Sequence, residues 1–248
     1  MTEENENMIQ PMEGHTLQRF DGELNNLHML ILQMGGLVVD QVRLAIKAVT
    51  DKDLEAARLV VDREPDVDAL EVKIDNETLT VIARRCPVAK DLRITTAVSK
   101  AVTDLERIGD EAARIANQAV QMYDNDSNDP SSHLLRDIRT MGKLSFQMLS
   151  DALEVFDTFD LPRAQQLAAG NIELDEEFQS SLRRLATFVL EDARNVGHVI
   201  NVTLIMKALE RIGEHARNLA EYVIYFIKGE DVRHQAATAS ADPDDRNE

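Results

Sequence analysis

An all-α fold of two tandem antiparallel three-helix bundles is predicted by three features of the sequence. Apolar residues recur at spacings of three and four over long stretches, which is the period of an amphipathic helix. Ala, Leu, Glu, Arg and Met are plentiful, whereas aromatic residues make up only 4% of the chain. A six-residue motif that begins at Leu105 returns 104 residues later, at Leu209, with five of its six residues identical. A repeat at this spacing indicates that one helical unit is present twice.

Each half is predicted to contain three helices, because periodic segments alternate with turn and capping residues. The segment from Thr50 to Asp53 is a turn with capping residues, Asp160 has the character of a helix N-cap, and Gly229 that of a C-terminal stop. A kink or break is expected at Pro65, since proline removes a backbone hydrogen bond from a helix interior. The predicted helices occupy approximately residues 16–48, 53–85, 91–123, 133–159, 161–191 and 197–228.

The domain organisation follows from a polar segment near the middle of the chain. Residues 124–132 are rich in Asp, Asn and Ser and contain a proline, which is typical of a linker. The first bundle is therefore placed at residues 16–123 and the second at residues 133–234. Residues 1–15 and 235–248 are polar and acidic, and we expect them to be disordered tails.

Composition excludes several classes of function. With 27 Lys and Arg against 45 Asp and Glu, the net charge of −18 argues against nucleic-acid binding and suits cations or a basic partner. The single cysteine, Cys86, precludes an intramolecular disulfide, fits a cytoplasmic location, and is expected at a helix end before Pro87. The longest apolar run, residues 27–39, is shorter than a membrane span, so we expect a soluble protein that reaches membranes only through partners.

The repeated motif carries paired carboxylates that form the strongest candidate site. Glu106 and Asp110 are spaced i, i+4 at the edge of the apolar stripe of their helix. If the second and third helices form a hairpin, this pair faces Glu71 and Asp75, which have the same spacing. The residues nearly opposite the apolar stripe alternate in sign and are predicted to face solvent; they are Lys100, Asp104, Arg107, Glu111 and Arg114.

Four carboxylates at a core edge repel one another and must take up protons, pair with bases or bind a cation. Oxygen ligands at this spacing suit Mg, Mn, Ca or iron, and neutralisation by Lys or Arg of the first helix is the alternative. Positions 109, 113 and 213 are Gly, Ala and Gly. An oxidase-type di-iron centre is not expected, because it needs a Glu-x-x-His pattern on two helices.

The second repeat preserves this pattern only in part. The offset of 104 places Asp175 and Gln179 at the positions of the first carboxylate pair, and the last helix keeps Glu210 and Glu214. A metal and a network neutralised by bases are both open here, because two basic residues share the stripe of the last helix. These residues are Lys207 and Arg217.

No catalytic arrangement is found among the remaining residues. The six histidines show no ligand spacing, and the sequence has no Gly-rich phosphate loop, no Gly-x-Ser-x-Gly elbow and no recognisable nucleophile–base pair. We therefore expect a protein that is not an enzyme. Gly35 and Gly36 in the first helix are expected to permit close helix packing rather than to bind phosphate.

Several motifs occur in the same order as in a known family. They lie at residues 34–36, 70–75, 87–93, 104–110, 209–214, 218–221 and 228–234. On these motifs, which cover roughly residues 17–234, the chain resembles the PhoU family of bacterial phosphate-transport accessory and regulatory proteins. The resemblance implies a cytoplasmic, often dimeric adaptor that represses the phosphate-starvation (Pho) regulon when phosphate is plentiful. It implies contacts with the ATPase subunit of the phosphate ABC transporter and with a membrane sensor histidine kinase.

The resemblance also implies metal binding, since Glu/Asp-x-x-x-Asp motifs hold metal ions in some members of this family. They map onto Glu71, Asp75, Glu106 and Asp110 in the first repeat, for Mg, Mn, Fe or Zn. In the second repeat they map onto Asp175, Glu210 and Glu214. Three departures bear on that second cluster, namely Gln179 for a carboxylate, Glu214 for Asp, and Arg114 where the second repeat has Asn218. The alternatives are a metal-binding protein or metalloenzyme, and a related bundle that serves another transporter.

Overall fold

The computed structural model describes residues 18–123, 132–170, 172–191 and 196–232. Within these residues the chain forms seven helices: α1 Gln18–Thr50, α2 Leu54–Arg85, α3 Lys90–Tyr123, α4 Ser132–Thr158, α5 Leu161–Ala168, α6 Ile172–Glu191 and α7 Val196–Lys228. The predicted tails at residues 1–15 and 235–248, and the predicted linker apart from its last residue, lie outside the described residues.

The helices pack as two bundles that share a long interface. α1, α2 and α3 contact one another, and α4 and α7 pack together with α5 and α6. The two groups meet where α3 lies against α7 and α1 lies against α4. The prediction of two tandem three-helix bundles is therefore confirmed, with the middle helix of the second bundle in two pieces.

The core of the first bundle is built on the apolar stripe of α1. Leu24, Ile31, Met34 and Val38 are at most 1% exposed. The segment Phe20–Thr50 is long and apolar enough to cross a membrane by length and composition alone. Core helices of soluble proteins pass the same test, and here the stripe is covered by the other helices of the fold.

The capping residues act at the helix ends where the sequence predicts them. Asp53 accepts a hydrogen bond from the backbone N–H of Ala56 at 3.0 Å, at the start of α2. Asp160 accepts one from the backbone N–H of Arg163 at 3.0 Å, at the start of α5. Gly229 follows α7 with a φ of +77°, a left-handed conformation that favours glycine. The two aspartates accept hydrogen bonds from backbone N–H groups that have no partner within the helix. The glycine ends its helix in a conformation that costs other residues strain.

Two predictions about helix continuity are wrong, namely a break at Pro65, as one form of the expected kink or break, and an unbroken helix at 161–191. α2 is not broken at Pro65, which lies on the solvent side of a continuous helix whose neighbours Val60 and Val67 are buried. The packing of this stripe outweighs the missing hydrogen bond. The predicted helix at 161–191 is instead divided into α5 and α6, because Gly170 adopts a φ of +114° that a right-handed helix does not allow.

The prediction of a solvent-facing side on α3 is also wrong for two of its residues. Asp104 and Glu111 are only 4% and 5% exposed, because α7 covers this side of the helix. Arg107 and Arg114 do remain exposed, as predicted. A helical wheel of one repeat cannot reveal this burial, since the covering helix comes from the other repeat.

A buried polar network joins α3 to α7. Asp104 lies 2.6 Å from Nδ1 of His215 and accepts a hydrogen bond from the hydroxyl of Tyr222, also at 2.6 Å. Asn218 donates a third hydrogen bond to it at 3.3 Å. The buried carboxylate is thus held by three side chains of α7, and such charge-assisted bonds compensate for its removal from water.

Close packing at the Gly35–Gly36 pair is confirmed for one of the two glycines. A Cβ on Gly35 would stand 2.6 Å from Cδ2 of Leu153 on α4, so a larger residue here would require the Leu153 side chain to move. A Cβ on Gly36 would meet no atom within 4 Å. The first glycine therefore serves the contact between the bundles, and the structure gives no packing reason for the second.

Candidate functional site

The structure brings the two carboxylate pairs of the first repeat together. Glu71 and Asp75 on α2, and Glu106 and Asp110 on α3, are all partly buried at the seam between these helices. They share one level because α2 and α3 are antiparallel neighbours joined by a short turn. Two further carboxylates of α2, which the sequence analysis missed, belong to the same group: Glu64 and Asp68.

The two glutamates at the centre of this group are hard to ionise. Burial raises the pKa of Glu71 above its ordinary value, and the charges of Asp75, Asp68 and Asp110 raise it further. Burial likewise raises the pKa of Glu106, with added repulsion from Asp110, Glu71 and Asp68. Such shifts are expected where carboxylates gather without enough compensating positive charge.

Basic side chains neutralise the negative charge of this cluster only in part. Arg107, beside Glu106 on α3, lowers the pKa of that carboxyl, but burial and the neighbouring carboxylates act more strongly in the other direction. The pKa of Glu64 is also raised, first by burial and then by Asp110 and Asp68. The alternative in which bases of α1 neutralise the cluster finds no support in these shifts.

The glycine of the repeated motif, Gly109, lies in the contact between α3 and its neighbours α1 and α2. A Cβ on Gly109 would lie 3.5 Å from Cγ1 of Val67 on α2 and 3.3 Å from Oε1 of Gln41 on α1. Gln41 is fully buried, and its Nε2 donates to the carbonyl of Val60 at 3.4 Å. Gly109 is therefore packed against α1 and α2 next to the carboxylates, and an added methyl group would require a small shift of the Gln41 side chain.

The chemistry of this donor set fits a hard or borderline cation, because its ligands are carboxylate oxygens that repel one another. Their arrangement is not yet that of a closed coordination shell. Among residues 18–123, 132–170, 172–191 and 196–232, no three His, Cys, Asp or Glu side chains converge as a ready metal site. A cation at Glu71, Asp75, Glu106 and Asp110 would require rotamer changes that draw their oxygens inward.

The second repeat shows a different arrangement. Glu210 on α7 is bonded to Lys207, whose ammonium group also lies 5.5 Å from the ring centroid of Phe178 on α6. Asp175 is exposed on α6, and within the described part of the chain it does not form a group of three potential metal ligands with Glu210 and Glu214. This arrangement favours the base-neutralised alternative for Glu210, while metal binding in the second repeat stays a prediction.

The raised pKa of Glu71 predicts that its charge destabilises the fold at neutral pH. The native state binds the proton more tightly than the unfolded chain, so stability falls as pH rises from the ordinary pKa of 4.5 through the folded value. In chelating buffer at pH 7.5, Glu71→Gln should raise the free energy of unfolding by about 0.5–1 kcal/mol. The gain should become much smaller at pH 4, where the carboxyl group is mostly protonated in both states, when measured by urea denaturation.

The matched control for that experiment is Glu77→Gln, which removes an equal charge from an exposed position of the same helix. It should change stability little at either pH, since exposed substitutions usually do. A loss of stability in Glu71→Gln at pH 7.5 would show that the carboxylate is favourably paired and would contradict the account of the cluster.

Comparison with known proteins places this arrangement in a family. A model of the PhoU domain matches residues 31–119 and residues 138–223, which together make up more than half of the chain. The chain belongs to the PhoU family. The resemblance drawn from its motifs is confirmed, and the two matched segments correspond to the two repeats, each containing one copy of the Leu-Glu-Arg-Ile-Gly sequence.

Relatives of known role agree with this assignment over most of their length. The chain is 39% identical to the phosphate-specific transport system accessory protein PhoU homolog of Pseudomonas aeruginosa, over 90% of this chain and 91% of that protein. It is 33% identical to the phosphate-specific transport system accessory protein PhoU of Escherichia coli, over 89% of this chain and 90% of that one.

Solved structures share the fold. The crystal structure of PhoU from Pseudomonas aeruginosa matches with a TM-score of 0.81 and 38% identity, covering 85% of this chain and 100% of that chain. The phosphate transport system regulatory protein PhoU from Streptococcus pneumoniae matches with a TM-score of 0.77 and 27% identity, covering 86% and 99%. The split second bundle of this family member therefore sits within an architecture common to distant relatives.

Proposed function

We propose that this chain is an accessory regulator of phosphate uptake that acts as a cytoplasmic adaptor without catalysis of its own. The observation that carries the proposal is its 39% identity, over nine-tenths of its length, to a phosphate-specific transport system accessory protein. Its partners would be the ATPase subunit of a phosphate ABC transporter and a phosphate sensor histidine kinase. In phosphate-rich cells it would repress the Pho regulon, and it would work as a homodimer.

The electrostatics of the molecule suit an adaptor. A net charge of −18 gives the surface a strong field, which steers association with partners that carry basic patches. Cys86, the one cysteine, is an exposed free thiol, which is compatible with the reducing cytoplasm. The carboxylate cluster between α2 and α3 supports a second role, in which Mg, Mn, Fe or Zn bound there tunes the shape of the first bundle.

Deletion of the gene tests the regulatory role. A reporter fused to a phosphate-starvation promoter should be switched on in phosphate-rich medium in the deletion strain, and the wild-type gene supplied in trans should silence it again. An unchanged reporter would contradict the proposal. The ATPase subunit should also co-purify with the chain; co-purification with a different transporter would favour the alternative of a related bundle with another partner.

A further inference from the structure

A cleft between α1 and α4 is lined by basic residues, although the chain as a whole is acidic. The cleft has a volume of about 270 Å³ and opens at the junction of the two bundles. Among the described residues that line it there is no carboxylate, yet three are basic: Arg43 of α1 together with Arg139 and Lys143 of α4. In a chain with a net charge of −18, such a local excess of positive charge requires an explanation.

The floor of the cleft is apolar and closely packed. Ile46 of α1 lies so near to Gly142 of α4 that a Cβ on this glycine would stand 3.1 Å from Cγ2 of the isoleucine. Phe146 of α4 adds an aromatic side chain one turn further along. The cleft is shallow and open to solvent, with Arg139 and Lys143 exposed, and it combines a hydrophobic base with charged groups.

The basic side chains are only partly occupied by partners. Arg139 donates one hydrogen bond to the backbone carbonyl of Thr50 at 2.9 Å, which orients its guanidinium group at the end of α1. In the part of the chain that the structure describes, neither Arg139 nor Lys143 forms an ion pair with a carboxylate. Arg43 is the exception, since it pairs with Asp40 at 3.0 Å.

Nearby acids do not cancel this charge. Asp40 accepts a hydrogen bond from Arg43, and Asp51 accepts one from the hydroxyl group of Thr50 at 3.1 Å. Arg139 and Lys143 therefore retain donors for a ligand. A guanidinium offers a planar fork of N–H groups and an ammonium offers a compact point charge, and the two together suit the oxygens of a phosphoryl group.

We propose that this cleft binds a small phosphate-bearing anion, either inorganic phosphate or a phosphate ester, with Arg139 and Lys143 as its principal donors. The apolar floor of Ile46 and Phe146 would contact the organic part of an ester. Because Arg43 belongs to the first bundle and the other two cations to the second, the bound anion would link the bundles. The site is separate from the carboxylate cluster, and it stands or falls independently of the proposed regulatory role.

Titration calorimetry on the full chain, at fixed ionic strength in chloride, tests the site. Inorganic phosphate, AMP and sulfate are the three probes. Phosphate or AMP should bind with a dissociation constant of about 1 mM or below. Tighter binding of AMP would identify an ester as the ligand, and equal binding would identify free phosphate. Sulfate binding as tight as phosphate, or no saturable binding of either phosphate compound, would overturn the proposal.

Two double variants locate the binding. Arg139→Gln/Lys143→Gln should weaken the binding of phosphate or AMP by about tenfold or more. Arg58→Gln/Arg183→Gln changes the net charge equally at exposed positions on α2 and α6, and it should leave the affinity unchanged. Equal weakening in both double variants would show only a general effect of charge and would contradict a site in the cleft.

Discussion

Asp104→Ala is expected to lower the free energy of unfolding by about 3–5 kcal/mol, because it strips a buried network of its shared acceptor. Asp104 is 4% exposed, and its carboxylate is hydrogen-bonded to the side chains of His215, Asn218 and Tyr222 of α7. Without it, three polar side chains in the interface lose a partner. The melting temperature should fall by about 10 °C in differential scanning calorimetry, given about 2–4 °C per kcal/mol for a chain of this size.

Graded variants separate this network from a general effect of truncation. Tyr222→Phe deletes one donor and should cost about 1–2 kcal/mol, while the double variant with Asp104→Ala should cost less than the sum of the two. Asp62→Ala, at an exposed position of α2, serves as the control and should have a small effect. A loss below about 1 kcal/mol in Asp104→Ala would contradict the role of the network at the α3–α7 contact.

The second large effect concerns the carboxylate cluster and divalent cations. Mn²⁺ at about 100 times its dissociation constant should stabilise the wild-type protein by about 2.7 kcal/mol, which corresponds to a rise in melting temperature of about 5–10 °C. The reason is that a bound cation offsets both the burial and the mutual repulsion that raise the pKa of Glu71 and Glu106. For each variant, the melting temperature with Mn²⁺ should be compared with that of the same variant without metal, because removing a carboxylate also changes the stability of the metal-free protein.

The two repeats supply a matched pair of variants for this test. Glu106→Gln/Asp110→Asn should abolish the Mn²⁺-induced shift and the metal found by elemental analysis. The corresponding Glu210→Gln/Glu214→Gln should keep both, because Glu210 is already bonded to Lys207. An unchanged melting temperature of the wild type, with no metal in the purified protein, would contradict the cation proposal and leave the adaptor role intact.

Much of the fold can be predicted from the sequence because local signals and packing agree. Apolar spacing marks the long helices, and Asp53, Asp160 and Gly229 mark their ends. The errors arise where a single residue or a distant helix decides the outcome. Gly170 divides the predicted fifth helix by its left-handed conformation, and Pro65 is tolerated because its helix is held by packing on either side.

The part of the candidate site that lies within the α2–α3 hairpin could be predicted from the sequence, whereas contacts between the two repeats could not. The antiparallel register of α2 and α3 follows from a short turn, so the meeting of Glu71 with Asp110 is predictable. Glu64 and Asp68 were missed, although their spacing of seven and three residues from Glu71 places them on the same stripe. The burial of Asp104 and the basic cleft of Arg43 and Arg139 depend on contacts between repeats, which helical periodicity does not encode.

The Asp104 network also determines which helices recognise each other. α3 and α7 are the same helix of the two repeats, so the offset of 104 makes Ala208 the counterpart of Asp104 and Glu111 the counterpart of His215. If α3 of one molecule met α3 of another in this register, Asp104 would confront Glu111, and two α7 helices would leave His215 beside Ala208. The two copies of this helix therefore carry complementary groups, so α3 pairs with α7 in preference to a second α3, and α7 pairs with α3 in preference to a second α7.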